Sequence, residues 1–196
     1  MPVTHYIIRH GQTDWNAEWR LQGQKNIPLN ETGRQQARDN GVRLRDLMGG
    51  RFDGYDFVSS PLDRARETME LARGTAGLDP LAYRLEERLK EICFGDWEGY
   101  TGQELKAIDK AKHRERREKK WDFIPPGDLA ESYEILSWRI GSWLKSIDRP
   151  TVAVCHGGVI RCIFKLVGGM APEDAAMIDI PQDRVLVYAR DRLEWA

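Results

Sequence analysis

Cysteine and histidine are scarce in this chain of 196 residues, which contains 3 Cys and 4 His. So few cysteines, odd in number, exclude a disulfide framework, and Cys93, Cys155 and Cys162 are expected to be small buried side chains in a reducing compartment. A nucleophilic role for Cys155, which precedes a histidine, stays open as a minor alternative. The sequence has neither HxxxH nor paired CxxC spacing, so no metal site is expected.

Long apolar runs and an excess of one charge are also lacking. No segment approaches the ~20 apolar residues of a membrane span, and residues 1–8 lack the charged and long apolar regions of a signal peptide. Lys+Arg number 30 against 31 Asp+Glu, for a net charge of −1. Bulk charge therefore gives no reason to expect a nucleic-acid or membrane partner. We expect a cytoplasmic protein and leave its oligomeric state open.

The composition, with 41% hydrophobic and 9% aromatic residues, is typical of a folded protein, and we expect one domain over residues 1–196. Apolar runs that alternate with amphipathic helices predict an α/β fold: three α/β/α layers around a mostly parallel central sheet. Residues 86–127 are expected to form a small, cap-like insertion over one end of that sheet. The predicted strands are residues 3–9, 56–59, 81–85, 151–155 and, last, 184–189.

Capping residues predict where the helices begin. A small polar N-cap, followed by proline or by an acid at the third helical position, satisfies the free N–H groups of the first turn. The signals are Asn30, Ser60 with Pro61, Thr101 with Glu104, and Asp128 with Glu131. After the signal at Thr101, one helix is expected to continue through the basic run at residues 106–120.

Two strand ends carry a histidine followed by glycine. His10 and Gly11 follow the first strand, and His156 and Gly157 follow the apolar strand at residues 151–155. In open α/β sheets, ligands bind beyond the carboxyl ends of the strands. Arginine forks and helix N-termini in such a place suit a tetrahedral dianion such as phosphate. A neutral imidazole there can attack phosphorus.

Four motifs occur together in a fixed order. They are RHGQT at residues 9–13, SSPLDRA at 59–65, EICFGDWEG at 91–99 and VCHGG at 154–158. Together they resemble the signature of the histidine phosphatase superfamily, which has the phosphoglycerate-mutase-like fold. The resemblance spans residues 7–158 and implies that fold for this chain.

The resemblance also implies a role for each matching residue. His10 would be the nucleophile that becomes phosphohistidine, and Glu91 would be the general acid and then the base. It implies neither a metal ion nor a cofactor. The remaining implied contacts to the phosphoryl group are Arg9, Arg64 and His156, with substrate contacts from Asn16, Gln22 and Gly157.

The resulting expectation is a metal-independent phosphomonoesterase, a hydrolase that acts on a small phosphorylated metabolite through a phosphohistidine. The alternatives are a cofactor-dependent phosphoglycerate mutase and a non-catalytic phospho-ligand-binding module. Mutases of the family are longer in the region that matches residues 92–127, which favours the phosphatase. The identity of the phosphomonoester stays open. The basic run at residues 106–120 is expected to be a solvated helix face, with steering of anionic substrates as the alternative.

Overall fold

The computed structural model describes residues 3–190 and 192–196, so Met1 and Pro2 of the segment assessed for a signal peptide lie outside the described residues. Six strands form one sheet: β1 Thr4–Arg9, β2 Asp56–Ser59, β3 Arg84–Leu85, β4 Thr151–Cys155, β5 Val185–Ala189 and β6 Arg192–Trp195. Their order is β3-β2-β4-β1-β5-β6. The first four strands are mutually parallel, and β5 and β6 are antiparallel to their neighbours. The predicted mostly parallel sheet is confirmed.

The sheet differs from the prediction at its two edges. The strand predicted at residues 81–85 is limited to Arg84–Leu85, because Asp79 accepts hydrogen bonds from the Leu81 and Ala82 N–H groups and turns the chain there. The strand predicted as the last, residues 184–189, is followed by β6. That short edge strand pairs antiparallel with β5, and four residues are too few to carry a clear alternating pattern.

Helices cover both faces of the sheet and give the predicted three layers. On one face, Leu44 and Met69 pack against Ile8 and other strand residues. On the opposite face, the strand residue Ile7 lies in a second core with side chains such as Leu136. The helices are α1 Asp14–Ala17, α2 Glu31–Met48, α3 Asp63–Thr75, α4 Gly102–Ile108, α5 Lys110–Glu118, α6 Tyr133–Lys145, α7 Gly157–Leu166 and α8 Pro172–Ala175. Within the described residues, none of them is long and apolar enough to cross a membrane.

Two of the four predicted helix starts are confirmed. The Asn30 side chain accepts a hydrogen bond from the Gly33 N–H at 2.9 Å and caps α2. Thr101 and Glu104 form the predicted capping box of α4. In both helices the capping side chain keeps its local hydrogen bond to a free N–H group, although Glu104 also pairs with Arg20 at 2.9 Å.

The other two predicted starts are wrong. The N-cap of α3 is Leu62 instead of Ser60, whose hydroxyl lies 2.7 Å from Nε2 of His156. Ser132 is the N-cap of α6, and its hydroxyl accepts a hydrogen bond from Ile135 N–H. Glu131, expected in that capping box, forms a salt bridge of 2.9 Å with Arg139. In both cases another contact engages a side chain that the local signal would use: His156 contacts Ser60, and Arg139 pairs with Glu131.

The helix predicted through the basic run is two helices, with Asp109 between them. Asp109 has an extended φ of −145°, so α4 ends there. Its side chain accepts a hydrogen bond from Lys112 N–H at 2.9 Å and caps α5. This break makes α5 a helix separate from α4, and Arg116 on α5 lines a cleft beside the sheet.

Candidate active site

A cleft of about 780 Å³ lies at the carboxyl ends of β1 and β4. These strands are adjacent and parallel, with Arg9 opposite Cys155, so the two residues that follow them meet. The rings of His10 and His156 have centroids 5.1 Å apart. His156 lies behind the wall of the cleft, and the other predicted site residues line it: Arg9, His10, Asn16, Gln22, Arg64, Glu91 and Gly157.

His10 presents a ring nitrogen to the cleft in a defined tautomer. Its Nδ1 lies 2.7 Å from the carbonyl oxygen of Gly11, which can only accept, so Nδ1 carries the proton and Nε2 carries the lone pair. The ring is only 2% exposed. Burial, followed by the positive charges of Arg64 and Arg9, holds the pKa of His10 well below its ordinary value. The imidazole is therefore neutral near pH 7, which is the form that can act as a nucleophile.

Arg64 is held so that its charge sits beside that lone pair. Its two terminal nitrogens donate to the carbonyl oxygens of Lys25 and Gly23, each at 2.7 Å. Its Nε lies 3.3 Å from Nε2 of His10. Burial lowers the pKa of Arg64 to about 10, so the guanidinium stays protonated at neutral pH. The loop that contains Gly23 and Lys25 thus fixes a positive charge beside Nε2 of His10.

Arg9 places a second guanidinium in the cleft wall. One terminal nitrogen donates to the carbonyl oxygen of Ile180 at 2.6 Å. Its Nε is buried and has no partner among the described residues. Burial, with a contribution from nearby Arg161, lowers the pKa of Arg9 to about 10. A buried N–H donor without a partner is costly unless something binds it, and an anion in the cleft would satisfy it.

His156 is fully buried and oriented by one side chain. Its Nε2 lies 2.7 Å from the hydroxyl oxygen of Ser60, and its Nδ1 has no partner among the described residues. Burial and the charge of Arg64 hold the pKa of His156 well below its ordinary value. The cleft therefore has one neutral imidazole at its surface, that of His10, and a second, that of His156, directly behind its wall.

Glu91 is anchored at the first turn of α7. Its two carboxylate oxygens each accept from Gly158 N–H at 3.1 Å, and Oε1 also accepts from Ile92 N–H at 2.9 Å. The carboxylate lies so close to Gly158 that a Cβ built there would be 2.3 Å from Oε1. A carboxyl group that lines the same cleft as His10 is of a type that can exchange a proton with a bound molecule or with water.

Asn16, Gln22 and Gln182 complete the polar wall. The Asn16 side-chain oxygen accepts from Gln182 Nε2 at 3.1 Å, and Gln182 also donates to the backbone oxygen of His10 at 3.0 Å. The Oε1 atom of Gln22 is buried without a partner among the described residues. Gln182 was missed by sequence reasoning, because it lies in a loop beyond the last motif and carries no pattern of its own.

Two further observations bear on the chemistry. The Cys155 side chain is fully buried and does not line the cleft, and burial raises the pKa of its thiol, so the minor alternative of a cysteine nucleophile is disfavoured. In the part of the chain that the structure describes, no three His, Cys, Asp or Glu side chains are grouped so as to hold a metal ion.

Comparisons with known proteins agree with this geometry. The chain is 31% identical over 172 residues to an uncharacterised phosphatase, PhoE, of Bacillus subtilis, covering 85% of this chain and 78% of that protein. It is 32% identical over 171 residues to the probable phosphoglycerate mutase GpmB of Salmonella paratyphi C, covering 84% and 74%. The structure of a mycobacterial glucosyl-3-phosphoglycerate phosphatase superposes with a TM-score of 0.76 at 27% identity, covering 95% and 90%. The model of the histidine phosphatase superfamily (branch 1) matches residues 5–196, and the chain belongs to that family.

Proposed function

We propose that this protein is a metal-independent phosphomonoesterase that hydrolyses a small phosphorylated metabolite through a phosphohistidine on His10. The observation that carries the proposal is the neutral, buried imidazole of His10, whose Nε2 lone pair lies beside the guanidinium of Arg64 in the cleft. Attack on phosphorus needs this lone pair, and the transferred group needs the positive charge.

In the first half-reaction, Nε2 of His10 attacks phosphorus, and the bond between phosphorus and the leaving oxygen breaks. The electron pair goes to that oxygen, which takes a proton from the protonated Glu91 carboxyl. In the second half-reaction, a water oxygen attacks the phosphohistidine while Glu91 accepts the water proton. The phosphorus–nitrogen bond breaks, and inorganic phosphate leaves. Such acid–base assistance typically contributes about 10²- to 10⁴-fold in rate.

The remaining groups hold the phosphoryl oxygens. Arg9 and Arg64 provide the fixed positive charge that a metal ion supplies in many other phosphoryl-transfer sites. His156, oriented by Ser60, is a further candidate donor to the same oxygens. Asn16, Gln22 and the N–H of Gly157 are the proposed outer contacts.

A small-molecule substrate and a cytoplasmic location are parts of the proposal. A cleft of about 780 Å³ lies within the usual range for small ligands, about 300–1,000 Å³. The similar Bacillus and mycobacterial proteins are both named as phosphatases, which supports hydrolysis. No part of the proposal requires nucleic acid or a membrane.

The test is hydrolysis of p-nitrophenyl phosphate in EDTA by the wild type, His10→Ala and, as a matched control, His113→Ala on α5. We expect activity in EDTA that His113→Ala retains and that His10→Ala loses by at least about 10³-fold, as removal of a nucleophile does. Wild type quenched with alkaline detergent should hold a phosphoryl label that is stable in alkali, is lost in acid, and is absent from His10→Ala. Activity that EDTA abolishes, or that His10→Ala keeps, would contradict the proposal.

A phosphoglycerate mutase is the second candidate, because the chain is 32% identical to a probable mutase. A mutase would return the phosphoryl group from His10 to a bound phosphoglycerate instead of to water. With 3-phosphoglycerate and a bisphosphate primer, 2-phosphoglycerate would then form faster than inorganic phosphate. A protein inert in every assay would favour the non-catalytic binding module.

A further inference from the structure

Trp19 is a large apolar side chain that is left open to solvent in a mostly polar cleft. It lines the same cleft as His10 and is 86% exposed. Within residues 3–190 and 192–196, its indole ring stacks on no other aromatic ring, and its Nε1 donates to no protein acceptor. The indole face is therefore free to contact a molecule that is bound in the cleft.

The backbone at Trp19 is held in a conformation that disfavours tryptophan. Its φ is 60°, in the left-handed region, where a side chain crowds the backbone and glycine is the favoured residue. Because the indole is also largely exposed, it contributes little packing to the fold in return. Strained residues of this kind cluster at binding and catalytic sites, where the surrounding structure fixes them.

Hydrogen bonds on both sides of Trp19 keep the strained turn in place. Its own N–H donates to the carbonyl oxygen of Asn16 at 3.1 Å, and the Arg20 N–H donates to that of Trp15 at 2.8 Å. The Arg20 guanidinium also donates to the carbonyl oxygen of Gly99 at 2.8 Å. The turn is thus fixed both locally and to a loop distant in sequence, and it presents the indole at a defined place.

This turn connects two of the proposed contacts to the substrate. Asn16 comes three residues before Trp19 and Gln22 three residues after it, and all of them line the cleft. A phosphomonoester whose phosphoryl group lies at His10 can therefore extend its leaving group toward the indole face.

Two other exposed side chains show that exposure or strain alone does not mark a ligand contact. Leu129 is 88% exposed and has a φ of 61°, but it does not line the cleft. Trp138 also lies outside the cleft, and its indole N–H donates to a Glu134 carboxylate oxygen at 3.0 Å. Trp19 combines exposure and a left-handed backbone with a place in the cleft that contains His10.

We propose that Trp19 is a stacking surface for the leaving group, so that the preferred substrate is a phosphomonoester whose leaving group contains a ring with an apolar face. This inference rests on the proposed function, which places the phosphoryl group at His10. An indole offers a broad, flat apolar surface at a low cost in conformational entropy, because it has only two side-chain torsions. An aromatic ring and the C–H face of a sugar ring present the same matching surface, and the ligands of the test distinguish them.

The test compares ligands with and without a ring in the His10→Ala background, where binding is measured without turnover. Calorimetry at pH 8 gives dissociation constants for ethyl phosphate, phenyl phosphate and glucose 1-phosphate. We expect at least one of the two ring ligands to bind about 3- to 10-fold more tightly than ethyl phosphate, which is the size of an aromatic contact. The ligand that gains affinity identifies the ring as aromatic or sugar.

Substitutions then assign the preference to the indole. Adding Trp19→Gly should remove most of the preference for the ring ligand, whereas Trp19→Phe should retain much of it. Trp138→Ala is the matched control, because it removes an exposed indole outside the cleft, and it should leave the preference unchanged. The urea midpoint of Trp19→Gly should not fall, because glycine adopts a φ of 60° without strain.

Several outcomes would overturn the proposal. They are equal binding of all three ligands, no binding of any of them, a preference that Trp19→Gly keeps, and a preference that Trp138→Ala reduces as much as Trp19→Gly does. A lower urea midpoint for Trp19→Gly together with a lost preference would also overturn it, because the indole would then support the fold.

The result is separable from that of the hydrolase assay. A wild type that hydrolyses p-nitrophenyl phosphate, while the ring preference is absent or independent of Trp19, would retain the proposed function and lose the stacking surface. A protein that hydrolyses no phosphomonoester, yet binds ring ligands through Trp19, would lose the proposed reaction and retain the ligand contact.

Discussion

At the scale of single residues, the position of Glu91 depends on a side chain that is missing. Gly158 has no Cβ, and its N–H approaches both carboxylate oxygens to 3.1 Å. A Cβ there would meet Oε1 at 2.3 Å, with a Leu136 methyl 3.2 Å away. Because Gly158 lies in the buried first turn of α7, its backbone cannot shift to relieve that contact. The Glu91 carboxylate therefore has to move. Glu91, the proposed acid–base group, is thus held in place by a glycine as much as by its hydrogen bonds.

Gly158→Ala should therefore separate activity from stability. In an open helical position this change stabilises a protein by about 1 kcal/mol. Here we expect kcat to fall about 10²-fold, within the range that acid–base assistance contributes. Steady-state kinetics with p-nitrophenyl phosphate measures the effect.

Gly141→Ala is the matched control, because its Cβ would meet only Leu166 methyl carbons at 3.9 Å or more. That variant should keep the wild-type kcat. Equal kcat values for the two variants would show that Glu91 is not positioned by Gly158.

The site residues and their positions in the motifs could be identified from the sequence, whereas the hydrogen-bond partners of those residues could not. His10 and His156 follow strands whose apolar runs are plain, so their meeting at one sheet edge was predictable. The tautomer of His10 depends on Gly11 O, and the orientation of His156 depends on Ser60. Arg161 and Gln182 reach the cleft through the turn of a helix and the path of a loop. Those are consequences of packing, which no local pattern encodes.

At the scale of elements, the break between α4 and α5 decides where the basic run points. Most side chains of the run are exposed, as expected for a solvated helix face, but Arg116 and Lys120 are partly buried and line the cleft. The break was not predicted, because a single Asp, although it favours caps over helix interiors, does not end a run of strong helix formers as Gly or Pro does. The capping bond of Asp109 to Lys112 N–H is made only when the chain bends.

Asp109→Ala should loosen the start of α5. Loss of an N-cap side chain typically costs about 1 kcal/mol of stability, and the cations of α5 would be held less firmly. We expect a lower urea midpoint and a higher KM for p-nitrophenyl phosphate with little change in kcat. Asp109→Asn, which caps nearly as well, should restore both values. If the two variants behave alike, the negative charge of Asp109 matters and its capping bond does not.

At the scale of the whole molecule, two buried neutral histidines make stability depend on pH. The pKa values of His10 and His156 lie well below 6.5 in the folded protein and near that value in the unfolded chain. Below pH 6.5 the unfolded chain therefore binds protons that the folded protein does not. The free energy of unfolding should fall as the pH decreases from 7 to 5, by up to about 1.4 kcal/mol per pH unit for each histidine.

Urea unfolding at pH 7.0, 6.0 and 5.0 measures this dependence, and His10→Asn should make it shallower. Carboxylates act in a different range: Arg88 lowers the pKa of Glu86 from 4.5 to about 2, so its stabilising effect is lost only below about pH 4.5. A constant free energy of unfolding between pH 7 and 5 would contradict the buried neutral state of both rings.

The sheet order has a consequence for how the protein is made in a cell. Strand β1, which carries His10 at its end, lies between β4 and β5, and both neighbours come after residue 150. At translation rates of about 5–20 residues per second, β1 waits roughly 10–30 s for them. Ile7 and Ile8 are almost fully buried in the folded protein. Until β4 and β5 pair with β1, both side chains are exposed on a nascent strand with two unpaired edges, which is a known aggregation hazard. The strand that carries His10 is translated well before its two neighbours in the sheet, so it stays unpaired until β4 and β5 emerge.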